Sequence, residues 1–137
     1  VAAHAVLLVD HAEAVARIAA VEVFQQLAAG AQGITVSTLK EAERFVAEGI
    51  TDILYAVAIA PGKRDHALGL SRHGCRLTLL VESVAGTAAL ARHGIEHGHC
   101  HAALIEVDTD GHRSGIRPDD ATLLEVAAAL SPGRSPC

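Results

Sequence analysis

His112 and Arg113 stand side by side in a polar, glycine-bearing turn, Asp108-Thr109-Asp110-Gly111-His112-Arg113-Ser114-Gly115, directly after the apolar run Leu104-Ile105-Glu106-Val107. In parallel α/β proteins ligands bind at the carboxyl ends of strands, which places this turn at a functional rim rather than in a core. The guanidinium is permanently charged and presents a planar fork of donors. It suits a phosphate, a carboxylate or a ring heteroatom of a bound cofactor. A merely solvated turn would show the same two residues, so the motif alone leaves both readings open.

Three other constellations carry weaker chemistry. His93, His97, His99, Cys100 and His101 crowd one stretch, and imidazole and thiolate are the donors that zinc, nickel and copper prefer. That stretch precedes its strand, on the side away from the rim, and lacks the paired, separated ligand couples of a structural zinc site. No metal site is therefore expected there. Gly62-Lys63-Arg64 follows a strand and opens a helix, where a phosphate can dock; without P-loop spacing, a solvated basic first turn is the expected role. Cys75 reads as a small buried apolar residue, and Arg117, Asp119 and Asp120 read as helix caps.

The elements that position these groups follow from composition and periodicity. The chain has 137 residues, half of them hydrophobic but only 2% aromatic, with no Met and no Trp. Such a core is made of Ala, Val, Leu and Ile, which favours close helix-on-sheet layers. A net charge of −5 points away from nucleic acid and anionic membranes. The longest apolar runs, Ala2–Val9 and Ile53–Pro61, are strand-sized and too short to span a bilayer. No secretory leader pattern is visible. Cys75, Cys100 and Cys137 show no CxxC spacing, so reduced thiols and a cytoplasmic setting are expected. A chain that begins at Val1 and holds no Met reads as processed, as a fragment, or as a frame with a non-standard start.

Continuous apolar runs predict strands buried on both faces at His4–Val9, Gly33–Ser37, Asp52–Ile59, Arg76–Val81 and Ala103–Val107. Helical periodicity predicts helices over His11–Ala29, Leu39–Glu48, Lys63–His73, Val84–His93 and Asp119–Leu130. Gly30, Gly49, Gly74 and Gly94 follow the last periodic residues and read as helix stops. Thr38 with Glu41 forms a capping-box pattern. Residues 1–130 are expected to form one domain, and residues 131–137 a disordered tail. Strand–helix repetition of this kind requires a parallel sheet with right-handed crossovers. Two architectures fit: part of a (β/α)8 barrel, which normally needs about 250 residues, or a five-stranded doubly wound open sheet. Periodicity does not choose between them.

Four segments taken in order carry a family resemblance. They are Leu27-Ala28-Ala29-Gly30-Ala31-Gln32-Gly33-Ile34-Thr35-Val36-Ser37-Thr38-Leu39-Lys40-Glu41-Ala42-Glu43, Asp52-Ile53-Leu54-Tyr55-Ala56-Val57, Leu77-Thr78-Leu79-Leu80-Val81-Glu82-Ser83, and the strand–turn with Asp110-Gly111-His112-Arg113. Over roughly residues 24–130 the chain resembles the alanine-racemase-like barrel of the D-threonine aldolase and D-serine dehydratase group. These are fold-type III enzymes that use pyridoxal phosphate (PLP). The resemblance implies a partial (β/α)8 barrel and a PLP-dependent lyase acting on small D-amino acids. It implies a cofactor site at Arg113, which would lie at the PLP ring, with His112 beside it. Tyr55, Ser37 and Thr38 would face the same barrel mouth.

The same family holds PLP as a Schiff base on a lysine shortly before the Ala-Ala-Gly-Ala segment. Counting back from Gly30, that position is Val15, and no lysine precedes Lys40. Without the amine there is no covalent anchor for the cofactor. The later barrel strands, the phosphate loop and the metal-binding carboxyl-terminal domain of the family have no counterpart expected within these 137 residues. The chain is therefore expected to be a fragment or degenerate family member, inactive as it stands. A non-catalytic module binding PLP or another phosphate ester, or a structural fragment that self-associates into a homo-oligomer, are the alternatives. The opening Val6-Leu7-Leu8-Val9-Asp10 also resembles the first strand of a response-regulator receiver. That family's phospho-accepting Asp and its Lys are replaced here by Ala60-Pro61 and Asp108-Thr109, which removes the reading.

Overall fold

Helix-forming and strand-forming stretches alternate through a computed structural model that describes residues 21–112 and 114–130. The chain divides into two compact units, Val1–Gln32 and Gly33–Cys137. In the first, residues 21–28 are helical and Gly30 takes a positive φ of 107°. The strand expected at His4–Val9, the start of the helix expected from His11, the Val15 position, Arg113 and the tail at 131–137 lie outside the described residues.

The second unit runs β1 (Ile34–Val36), α1 (Leu39–Ala47), β2 (Asp52–Ala58), a 3-10 turn (Pro61–Lys63), α2 (Arg64–Arg72), β3 (Arg76–Val81), α3 (Val84–His97), β4 (Ala102–Ile105) and α4 (Thr122–Leu130). All neighbouring strands pair in parallel, with Val36 beside Tyr55, Tyr55 beside Leu79, and Leu79 beside Ala103. The strand order is β1-β2-β3-β4. That order decides the architecture. A doubly wound sheet reverses direction at a switch point, whereas strictly sequential strands with right-handed crossovers put every helix on one face. The unit is therefore an open part of a (β/α) barrel, and the doubly wound alternative is overturned.

Burial follows from this one-sided cover. Val36, Ile53, Tyr55, Leu77, Leu79 and Val81 face the helices and join Leu39, Ala42, Ala67, Leu70, Leu90 and Val126 in one buried cluster. Each large aliphatic side chain so buried contributes about 1.5–3 kcal/mol. On the opposite face Thr35, Leu54, Thr78 and Ala102 align across the strands. Leu104 there is 53% exposed. This is the face that a complete barrel fills with side chains.

Local signals account for most element ends. Thr38 Oγ1 accepts from Glu41 N at 3.1 Å while Glu41 Oε2 accepts from Thr38 N at 2.9 Å, the reciprocal cap its sequence predicts. Gly49 and Gly74 close α1 and α2 with positive φ. Gly94 does not close α3, which continues to His97 and ends at left-handed Gly98. Gly94 is needed for closeness instead: a Cβ there would lie 2.5 Å from the His99 carbonyl oxygen. The last helix starts at Thr122 rather than Asp119, because Asp120 Oδ1 accepts from Thr122 N at 2.8 Å and forms a turn first. Cys75 is free and buried, as expected, but Cys100 is disulfide-bonded, contrary to the expectation of reduced thiols throughout. Among the described residues no helix is long and apolar enough to cross a membrane.

Candidate functional site

Four loops leave the carboxyl ends of the strands and form the rim. After β4 the chain makes a turn pinned at both ends. Glu106 N donates to Val81 O at 2.9 Å, Ile116 N to Glu106 O at 2.9 Å, and Asp108 N to Ile116 O at 3.0 Å. Asp108, only 8% exposed, accepts from Gly111 N at 3.0 Å through Oδ1. Gly115 has a φ of 111°, and a Cβ there would lie 2.9 Å from both Asp108 N and Glu106 O. No other residue fits. Asp110 Oδ1 accepts from His112 N at 3.1 Å. The Asp-to-Gly pattern is thus a rigid frame that holds residue 112 exposed at the rim; Arg113 itself lies outside the described residues.

Two groups at this rim were not singled out from the sequence. Ser114 Oγ donates to Glu106 Oε1 at 2.6 Å. Glu106 Oε2 is shielded from solvent and has no hydrogen-bond partner among the described residues. An acceptor so placed is open to a donor from a ligand or a neighbouring group. The sequence signal was a lone carboxylate at the end of an otherwise apolar strand. After β2, the Tyr55 hydroxyl accepts from Lys63 Nζ at 3.0 Å. Tyr55 is fully buried, its ring on the helix-facing side of β2 and its hydroxyl reaching the loop at the strand's carboxyl end.

Ser37 and Thr38 follow β1 on the same rim and are exposed. Ser37 N donates to Glu41 Oε2 at 3.0 Å, and the Thr38 hydroxyl is occupied by its capping contacts. Beyond the turn, Asp119 accepts from Arg117 Nε at 3.1 Å. That guanidinium holds the Asp119 carboxyl below the ordinary carboxylate range.

The histidine-rich stretch lies elsewhere, around the end of α3 and the entry to β4. His93 Nδ1 is 3.0 Å from His101 Nε2, and His93 Nε2 is 2.9 Å from Asp65 Oδ1 on α2. Burial, then the neighbouring His99 and His93, pushes His101 down to about 4. The rim and the histidine cluster are separate sites.

The rim suits PLP in part. An exposed imidazole and hydroxyls can engage a phosphate ester, and the Glu106 carboxylate can take a donor, but neither lysine stands free as an anchor. Lys40 and Lys63 are the chain's two lysines. Lys40 is on α1 and pairs with Glu43 at 3.1 Å, and Lys63 is held by Tyr55.

Residues 14–134 match the family model of the alanine racemase N-terminal domain. D-threo-3-hydroxyaspartate dehydratase of Delftia sp. (strain HT23) is 60% identical over 99 residues, which cover 72% of this chain and 26% of that protein. D-threonine aldolase of Arthrobacter sp is 31% identical over 103 residues, covering 75% of this chain and 27% of that protein. Among solved structures, the Delftia sp. HT23 dehydratase superposes with a TM-score of 0.76 at 55% identity, covering 79% of this chain and 29% of its own. D-threonine aldolase from Filomicrobium marinum superposes with a TM-score of 0.68 at 25% identity, covering 81% and 30%. The chain spans about a quarter of the length of the curated relatives it matches.

Proposed function

Because this chain belongs to the alanine racemase N-terminal domain family, whose members are PLP-dependent, we propose that it is a barrel segment of a PLP-dependent D-amino-acid lyase. The pinned turn after β4 carries the reading, since its frame presents His112 and Ser114 at the strand ends. The aligned stretch is 60% identical to that of a dehydratase and 31% identical to that of an aldolase. This favours a small D-configured β-hydroxy amino acid as substrate and cleavage of its Cβ–O bond. PLP, when bound, supplies the electron sink for such chemistry.

The chain's own groups orient and neutralise. Arg113 would pair with the cofactor's phosphate or ring oxygen, with the neighbouring His112 as a second group for the ligand. Ser37 adds a hydroxyl to the same mouth. Thr38, through its cap, fixes where β1 ends, and Tyr55 fixes the loop after β2. Glu106 with Ser114 offers an acceptor for a donor on the ligand. With no lysine before Lys40, the segment alone binds PLP or another phosphate ester without turnover. Leu104, 53% exposed on the sheet face opposite the helices, favours self-association of the isolated chain.

The test is PLP binding followed by fluorescence or absorbance. A charge-assisted bond contributes about 1.5–3 kcal/mol, so Arg113→Ala should weaken binding roughly tenfold to a hundredfold at nearly unchanged melting temperature. Arg113→Lys should restore it partly, since an ammonium lacks the planar fork. Loss of folding with affinity intact would make Arg113 a structural tie and remove the reading. D-threonine, D-serine and D-threo-3-hydroxyaspartate should stay unconverted by this chain even with PLP and a divalent metal added.

A further inference from the structure

We propose that Asp65, His93 and His97 form a binding site for a borderline divalent transition-metal ion, zinc above all, tying α2 to α3 away from the cofactor rim. His93 and His97 are four residues apart on α3 and so share one helix face. Their ring centroids lie 4.3 Å apart. Asp65 reaches them from the first turn of α2, with Oδ1 2.9 Å from His93 Nε2. One ligand atom from each residue falls within 4.8 Å of the others. A zinc ion at tetrahedral angles, with bonds of about 2.0–2.2 Å, holds its ligands about 3.4 Å apart, a contraction within reach of the two exposed side chains.

Outer contacts prepare the donors. His97 Nδ1 is 2.9 Å from the His93 carbonyl oxygen; a carbonyl only accepts, so Nδ1 carries the hydrogen and Nε2 is left with its lone pair. His93 contacts His101 through Nδ1 at 3.0 Å, which leaves Nε2 directed at the site. Bonding through the second ring nitrogen is how metal-ligating histidines are oriented. Two imidazoles and one carboxylate suit zinc, cobalt or nickel and leave a position for water, whereas calcium and magnesium favour all-oxygen sets. The His93 side chain is only 12% exposed while Asp65 is 87% exposed, so the site is held on one side and open on the other. A plain carboxylate–imidazole hydrogen bond would account for Asp65 and His93 but not for His97, whose ligand atom also falls within 4.8 Å of theirs. Cys100, being disulfide-bonded, is not a thiolate donor. The structure thus keeps two members of the sequence cluster, His93 and His97, and adds an aspartate from another helix.

The experiment is a cobalt(II) titration of the full chain, read by visible absorption and followed by zinc competition. One cobalt ion per chain is expected, displaced by zinc, together with a zinc-dependent rise in melting temperature. His97→Gln and Asp65→Asn alter exposed side chains and should each weaken cobalt binding at least tenfold and abolish the thermal shift. Circular dichroism verifies that both variants fold. Unchanged affinity in either variant, or no saturable cobalt binding by the wild-type chain, would overturn the site.

Discussion

The hydroxyl of fully buried Tyr55 accepts a hydrogen bond from Lys63 Nζ at 3.0 Å, joining the middle of β2 to the loop that leaves its carboxyl end. The two ends of this bond are unequal. Lys63 can turn to water if its partner is lost, but the phenol sits in the core and cannot. Leaving a buried polar group unpaired costs about 1–3 kcal/mol, more than the net value of an ordinary hydrogen bond. Lys63→Met should therefore destabilise the chain more than Tyr55→Phe does. The double variant Tyr55→Phe/Lys63→Met should recover part of that loss. Urea denaturation of the four proteins measures the coupling, and strictly additive effects would show that the two groups act independently.

Gly69 and Gly94 give a matched comparison, each inside a helix. A Cβ at Gly69 meets nothing within 4 Å, whereas one at Gly94 lies 2.5 Å from the His99 carbonyl oxygen. Gly69→Ala should stabilise by about 0.5–1 kcal/mol through helix propensity and reduced freedom of the unfolded chain. Gly94→Ala gains the same but must displace backbone, and overpacking of this kind costs about 1–3 kcal/mol. Melting temperatures should move in opposite directions. A rise for Gly94→Ala would mean that the 98–101 turn shifts freely.

The same glycine shows where sequence reasoning runs out. A glycine near a helix end looks alike whether it stops the helix or admits a neighbouring chain, and only the path of residues 98–101 tells the two apart. Local signals were readable: the Thr38–Glu41 cap, the strand Arg76–Val81 and the frame from Asp108 to Gly115 all depend on residues close in sequence. The choice between barrel and doubly wound sheet was not readable, because strand order is set by packing across the whole unit. Asp65 was missed as a partner of His93 for the same reason, since 28 residues separate them. Glu106 was visible as a carboxylate in an apolar strand, but its contact with Ser114 depends on the return of the turn.

Cys75, at the entry to β3, gives a stability change with a definite sign. Burial first, and the Asp52 carboxylate second, raise its thiol above the ordinary value of 9.0. The folded chain therefore holds the proton more tightly than the unfolded chain. The resulting stabilisation is present in full below 9.0. Above that, the unfolded chain ionises first, and the contribution is lost as pH climbs toward the folded-state value. Cys75→Ala removes this titration and costs a constant amount for the small cavity it leaves. The stability gap between wild type and Cys75→Ala, measured by urea denaturation from pH about 7 to about 10, should narrow as pH rises. Asp52→Asn weakens the raising influence and should reduce the narrowing, although it also loses the 2.7 Å contact with Arg76. A gap that stays constant across the range would show that the folded thiol titrates at its ordinary value, with Cys75 in contact with water.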